Sequence, residues 1–314
     1  MPSPTYLCYL TVLAALTVTC GVVSAQLNLQ ANHFALDKGA INPAYTGAYH
    51  QSRVWGHDRL PAGGNRPSSS FRGLHVSLRA ADGNTGVGMG VQQLAIGDFR
   101  RISIQGTYGV QLQMSEGLRV GIGLNARISQ YDLSIDDTGV QPPFTLMRGN
   151  AGFGVLVYSR NASFGVSVPR LLNEVILDPI RPERQRFAGE PGEATLFAMG
   201  SYRVLFRDVF DVALHGQVGW VQGAVRAVKA SVLVFPQGVF GMGTAFRYSQ
   251  LPFSLTERAV DLSIHLRVRD DLSFGLSQDL PIGADRTAVS QRMELFGQWL
   301  FGAKGDGSWG LSMF

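Results

Sequence analysis

Ser263 and His265 stand two residues apart in a run of alternating apolar and polar residues. Their side chains therefore share one face of a strand. A hydroxyl beside an imidazole is the smallest pair that could support nucleophilic hydrolysis. For a lipid substrate that face would have to meet the bilayer, yet it is the polar face and points away from it. The six histidines (33, 50, 57, 75, 215 and 265) show no HxH or HxxxH spacing, so they offer no metal site. Asp132, Asp136 and Asp137 could hold calcium from a loop, but the glycine and glutamate positions of an EF-hand are missing. Gly86, Gly88 and Gly90 alternate with Val87, Met89 and Val91 and precede no helix, which excludes a nucleotide loop. Both cysteines, Cys8 and Cys20, lie in the N-terminal apolar run. No catalytic, metal or cofactor set emerges, and the expectation is a protein that is not an enzyme.

The elements that carry these residues are more informative. In 118–128 one face reads Leu118, Val120, Ile122, Leu124, Ala126 and Ile128. The other reads Arg119, Gly121, Gly123, Asn125 and Arg127. A two-residue period means a strand with a different solvent on each face. The pattern recurs about fourteen times in segments of ~10–12 residues, with short and long connections alternating. Short even-numbered connections such as 81–84 and 160–161 oppose long odd-numbered ones such as 59–69, 132–148 and 169–192. That asymmetry predicts an all-β, antiparallel transmembrane barrel of about fourteen strands, with periplasmic turns and external loops. An open sheet would leave an unpaired edge in hydrocarbon, so the sheet must close. Fourteen strands leave an interior too wide for side chains alone, so water, loops or the N-terminal segment must occupy it.

Domain boundaries follow. Residues 7–23 are continuously apolar and lead to Val23-Ser24-Ala25, a small-residue cleavage site. The expected organisation is a signal peptide at 1–25, a periplasmic N-terminal segment at 26–49, the barrel at 50–301 and a tail at 302–314, in an outer membrane. The strand ends are expected near 50–58 for the first, 149–159 for the sixth and 162–168 for the seventh. The net charge of +4 comes mostly from arginines scattered singly on polar faces, with no basic run or helix, which argues against nucleic acid. His75, Arg79, Arg119, Arg127, His215, His265 and Arg267 are expected to line the lumen. They suit a substrate path, a polar surface that binds a plug, or a generic wet interior.

One segment is more specific. Ile41-Asn42-Pro43-Ala44-Tyr45-Thr46-Gly47 resembles the INPAYAG-like signature of the PorP/SprF family, outer-membrane proteins of the type IX secretion and gliding systems of Bacteroidota. Trp55, Ser70-Phe71, Gly86-Val87-Gly88, Phe164 to Pro169 and Ala245-Phe246-Arg247-Tyr248 fall where that family has similar residues. Thr46 departs from the usual alanine, Gly275-Leu276-Ser277 lacks the tyrosines often seen there, and the tail extends past the usual aromatic end. The resemblance implies a non-enzymatic component that helps secrete or anchor surface proteins. Its partners would be periplasmic ring or lipoprotein subunits of the secretion system and the C-terminal domains of secreted cargo. Asn42 and Pro43 read as a turn before the first strand, with Tyr45 near the periplasmic rim. Asn42, Pro43, Ala44, Tyr45 and Gly47 would then form a plug, a partner-docking surface, or simply a turn at the rim. A FadL-like or porin-like solute channel is the alternative function.

Overall fold

A computed structural model describes residues 38–61, 69–96, 99–133, 144–177, 195–206, 210–221, 223–236, 239–250, 256–282 and 292–302. The leader, the tail beyond Gly302, His33 and Asp136-Asp137 lie outside the described residues. A short helix, α1 (Lys38–Ile41), and a 3-10 turn (Pro43–Tyr45) precede fourteen strands. These are β1 (Ser52–Pro61), β2 (Ser69–Arg79), β3 (Thr85–Ile96), β4 (Phe99–Ser115), β5 (Leu118–Leu133), β6 (Phe144–Tyr158) and β7 (Ala162–Leu177) in the first half. The second half comprises β8 (Leu196–Phe206), β9 (Phe210–Val221), β10 (Ala224–Pro236), β11 (Phe240–Gln250), β12 (Thr256–Arg269), β13 (Leu272–Pro281) and β14 (Arg292–Phe301).

Each strand pairs antiparallel with its sequence neighbours, and β1 closes the barrel on β14 through ten register pairs from Ser52–Phe301 to Pro61–Arg292. The alternation read from the sequence matches the two faces. Leu124 and Ile128 are 58% and 52% exposed on the outside, while Asn125 and Arg127 between them are 5% and 8% exposed within. Phe206, Phe210, Phe240 and Trp299 stand exposed beside the short turns, as in the aromatic girdle that such barrels place at the membrane interface.

The strand ends differ from expectation on one side. β6 starts at Phe144 and β7 runs to Leu177, so part of what read as loops 132–148 and 169–192 is strand. Proline cannot donate to a ladder, so the expected end of the seventh strand at Val168 falls just before Pro169. The structure accommodates Pro169 in a bulge. Register jumps from Phe153–Val168 to Ala151–Leu172, setting three residues of β7 against Gly152 alone. The Pro169 carbonyl accepts a hydrogen bond from Asn125 Nδ2 at 3.1 Å.

The interior is filled in two ways. On the β1 and β8–β14 side, inward side chains meet each other. Arg59 pairs with Glu294 at 2.9 Å, and Arg247 lies 2.6 Å from Asp279 and 3.9 Å from Asp261. Trp55, His57, Phe235, His265 and Phe296, with Phe71 of the adjoining β2, pack beside these pairs in tilted and edge-on contacts with ring centroids 4.8–5.7 Å apart. On the other side the wall is covered by the N-terminal segment.

Candidate functional site

The site is built by Asn42 and Pro43. A residue before proline is driven out of the helical region, so α1 ends at Ile41 and Asn42 is extended at φ −121°, ψ 107°. Pro43 then opens the 3-10 turn, where its missing N–H costs nothing. Asn42 caps that turn, its Oδ1 accepting from the Ala44 N–H at 3.0 Å. Its Nδ2 reaches the wall and donates to the Val155 carbonyl at 3.1 Å and to that of Val166 at 3.5 Å. One side chain thus ends the helix, caps the turn and binds the barrel.

The remaining contacts run along β1, β2 and β4–β8. Ser167 Oγ donates to the Ile41 carbonyl at 3.0 Å. Gln111 Nε2 donates to the carbonyls of Ala44 at 3.1 Å and Thr46 at 2.9 Å. The Tyr45 hydroxyl meets Ser163 Oγ at 2.9 Å, and Thr46 Oγ1 donates to Thr107 Oγ1 at 2.9 Å. Arg79 donates to the Tyr49 carbonyl at 3.2 Å. Arg53 lies over the Tyr49 ring, 4.0 Å from its centroid. Ile41, Ala44, Tyr45, Ala48 and Tyr49 form one buried cluster with Leu156, Tyr158, Phe197 and Met199.

The wall beneath them has glycines where side chains would collide. A Cβ on Gly121 would stand 2.8 Å from the Ala44 carbonyl oxygen, and one on Gly123 would overlap the Pro43–Ala44 peptide. Gly154 and Gly165 make the same room for the Asn42 carboxamide. Gly47, at φ +79°, turns the chain against Gly86. The sequence alone places Gly121 and Gly123 on the polar face of their strand without showing what they meet there. The signal that could have singled them out is their position: Gly86, Gly121, Gly123, Gly154 and Gly165 all fall on inward faces of neighbouring strands, where a polar residue was expected.

Residues 38–49, expected on the periplasmic side, therefore lie inside the barrel at its short-turn end. Tyr45 sits beside Ser163, one residue into β7 from the short β6–β7 turn, with its ring 1% exposed. Asn42, Pro43, Ala44, Tyr45 and Gly47 come together as one buried surface. His75, Arg79, Arg119, Arg127, His215, His265 and Arg267 all lie on inward faces but scatter. Arg127 bonds Gln105 and lies 3.5 Å from the Ala40 carbonyl, and His75 meets Gln92 at 3.0 Å. Arg119 reaches the Gly83 carbonyl at 3.3 Å, Arg267 lies over Phe235, and His215 is opposite Ser201 in register. Ser263 and His265 are within 3.1 Å, but both are buried on the lumen side, away from lipid. Among the described residues no group of three His, Cys, Asp or Glu could hold a metal.

Lys38 gives the enclosed segment a titratable foot. Its Nζ donates to Ser201 Oγ at 3.0 Å and lies 5.5 Å from the Tyr45 ring centroid. Burial, and then the charge of Arg53, pull its ammonium down to about 7. Burial also raises the Tyr45 phenol, so it keeps its proton and its bond to Ser163. Between pH 7 and 10.5 the undocked segment holds one proton more than the docked one, so docking strengthens as pH rises, by ~1.4 kcal/mol per unit at most. Below pH 7 both forms carry the proton and docking is weakest. Amide exchange of residues 38–49 should slow between pH 7.5 and 9.5 after correction for intrinsic rates. The Lys38→Met variant should lose that dependence.

A closed, lipid-facing wall of fourteen strands around a buried N-terminal segment defines an outer-membrane β-barrel protein. The profile of the type IX secretion system membrane protein PorP/SprF family matches residues 23–296, and the chain belongs to that family. No curated protein matches the chain. Among solved structures, the CymD monoaromatic hydrocarbon channel is similar at a TM-score of 0.54 and 13% identity, covering 90% of this chain and 96% of that one. The Ralstonia pickettii toluene transporter TbuX is similar at 0.51 and 11%, covering 87% and 94%. At these identities the likeness is one of fold.

Proposed function

We propose that this barrel is a non-enzymatic part of the type IX secretion apparatus that helps secrete or anchor surface proteins, with residues 38–49 as its plug. The family's own signature supports this reading, because its residues are spent on closing the lumen. Asn42, Pro43, Ala44 and Tyr45 are all buried against the wall, and none is left facing a solute path. An enclosed N-terminal segment fits a FadL-like channel as well as a docking and anchoring partner, and it is the family match that favours the second. Partners would be periplasmic ring or lipoprotein subunits and the C-terminal domains of secreted proteins.

The test is mass spectrometry of proteins co-purified with the tagged barrel from native outer membrane in mild detergent. Secretion-ring lipoproteins, or a large secreted protein held by its C-terminal domain, are the expected result. Recovery of the barrel alone, together with steady conductance of the wild-type protein in planar bilayers, would move the assignment to a solute channel.

A further inference from the structure

A cavity separates the enclosed segment from part of the wall that holds it. Gly39, Ala40 and Thr46 line it on one side and β1–β4 on the other, and its volume is about 20 Å³. A buried water needs ~10–15 Å³ by the same measure, so the space suits one or two waters or a single small ion.

The chemistry of the lining decides between water and ion. Arg53 of β1, Ser77 of β2, and Gln105 and Thr107 of β4 bring polar side chains to it, and none of the lining residues is acidic. Its acceptors are largely spent. Gln105 Oε1 accepts from Arg127 Nε at 3.0 Å, which leaves the amide nitrogen of Gln105, a double donor, to give elsewhere. Thr107 Oγ1 accepts from Thr46 at 2.9 Å and still has its own proton to donate. The Ala40 carbonyl lies 3.5 Å from Arg127 Nη2. The Ser77 hydroxyl adds a further donor. The cation stands where segment and wall meet: Arg53 is 5% exposed, and a Cβ on Gly39 would lie 3.6 Å from its Nη2. The Arg53 charge also reaches Lys38, whose ammonium it helps to pull down. Donors around a buried guanidinium, with no carboxylate among them, favour a negative ion over a neutral water.

We propose that this cavity binds one small monovalent anion of the size of chloride, held by Arg53, Ser77, Gln105 and Thr107 and covered by α1. The site is shared between segment and wall, so it is complete only in the docked form, and the anion must strengthen docking. The inference does not depend on the secretion role. Sodium chloride titrated into the purified full-length barrel in detergent, against sodium gluconate at constant ionic strength and pH, tests it through amide exchange of residues 38–49. Exchange should slow saturably, about tenfold when chloride exceeds its dissociation constant tenfold. Sulfate, doubly charged and larger, should have no such effect. Arg53→Gln should abolish the chloride response. Arg53 also covers the Tyr49 ring, so Ser77→Val is the second variant: it fills the cavity and leaves every charge in place. It should keep the segment docked in gluconate and lose the chloride response. Heat-modifiable gel migration checks that each variant is folded. Exchange indifferent to chloride in wild type, an equal response to sulfate, or a full chloride response in the folded variants would overturn the proposal and leave the cavity to water.

Discussion

Gly123→Val should expel the N-terminal segment and open the barrel. A Cβ at this position would fall on the Pro43–Ala44 peptide, which is backbone and has no rotamer to escape into. Overpacking of this kind typically costs ~1–3 kcal/mol, and a valine adds two further methyl groups against the same surface. At ~1.4 kcal/mol per factor of ten, docking should weaken at least tenfold. The wall itself should hold, because valine favours strands and the ladder of β5 with β4 and β6 is unbroken. Planar-bilayer recordings should show large openings absent from wild type, and protease added from the short-turn side should cut within 38–49. Gly106→Ala is the matched control. A Cβ there meets nothing within 4 Å, and the variant should stay closed. A silent Gly123→Val barrel with protected residues 38–49 would mean that the segment is not what closes the lumen.

Arg247→Met should be the most destabilising single change in the opposite wall. Arg247 is 5% exposed and faces Asp279, itself 0% exposed, with Asp261 close by at 3%. Methionine fills much of the same volume but takes from buried Asp279 the guanidinium that bonds it, and from Asp261 the one beside it. Removing one partner of a buried pair costs ~3–5 kcal/mol, because the other charge has already lost its water. The unfolding midpoint, read from the heat-modifiable gel shift, should fall clearly below wild type. Adding Asp279→Asn to Arg247→Met should recover a large part of the loss. If the double variant melts as low as the single one, the damage lies in lost packing and not in stranded charge.

These two walls were legible in the sequence to different degrees. The fourteen strands follow from a two-residue period, which is local and survives without knowing any partner. The signature at Ile41–Gly47 was equally plain as a string. Its place inside the lumen was not, because the contacts that hold it join residues far apart, such as Asn42 with Val155 and Tyr45 with Ser163. In the sequence Arg59 opens the loop 59–69, and nothing local marks Glu294 as its partner. Their pairing spans 235 positions and depends on β1 meeting β14. The prolines misled in the other direction, since Pro169 ends a strand only if no bulge receives it.

The arrangement of the enclosed segment also favours one order of assembly. Its hydrogen bonds to the wall go largely to β4–β7, and its closest glycine approaches to β3–β7, all elements that follow it within about the next 130 residues of chain. The final seam, β1 on β14, must wait for the far end of the barrel. Early local contacts form faster than distant ones because shorter loops cost less entropy to close. The first half of the sheet can therefore curl around the N-terminal segment while the chain is still open. A barrel that zipped shut first would have to thread residues 38–49 through a finished ring. In this protein the segment that ends up enclosed is also placed to serve as a template for the wall that encloses it.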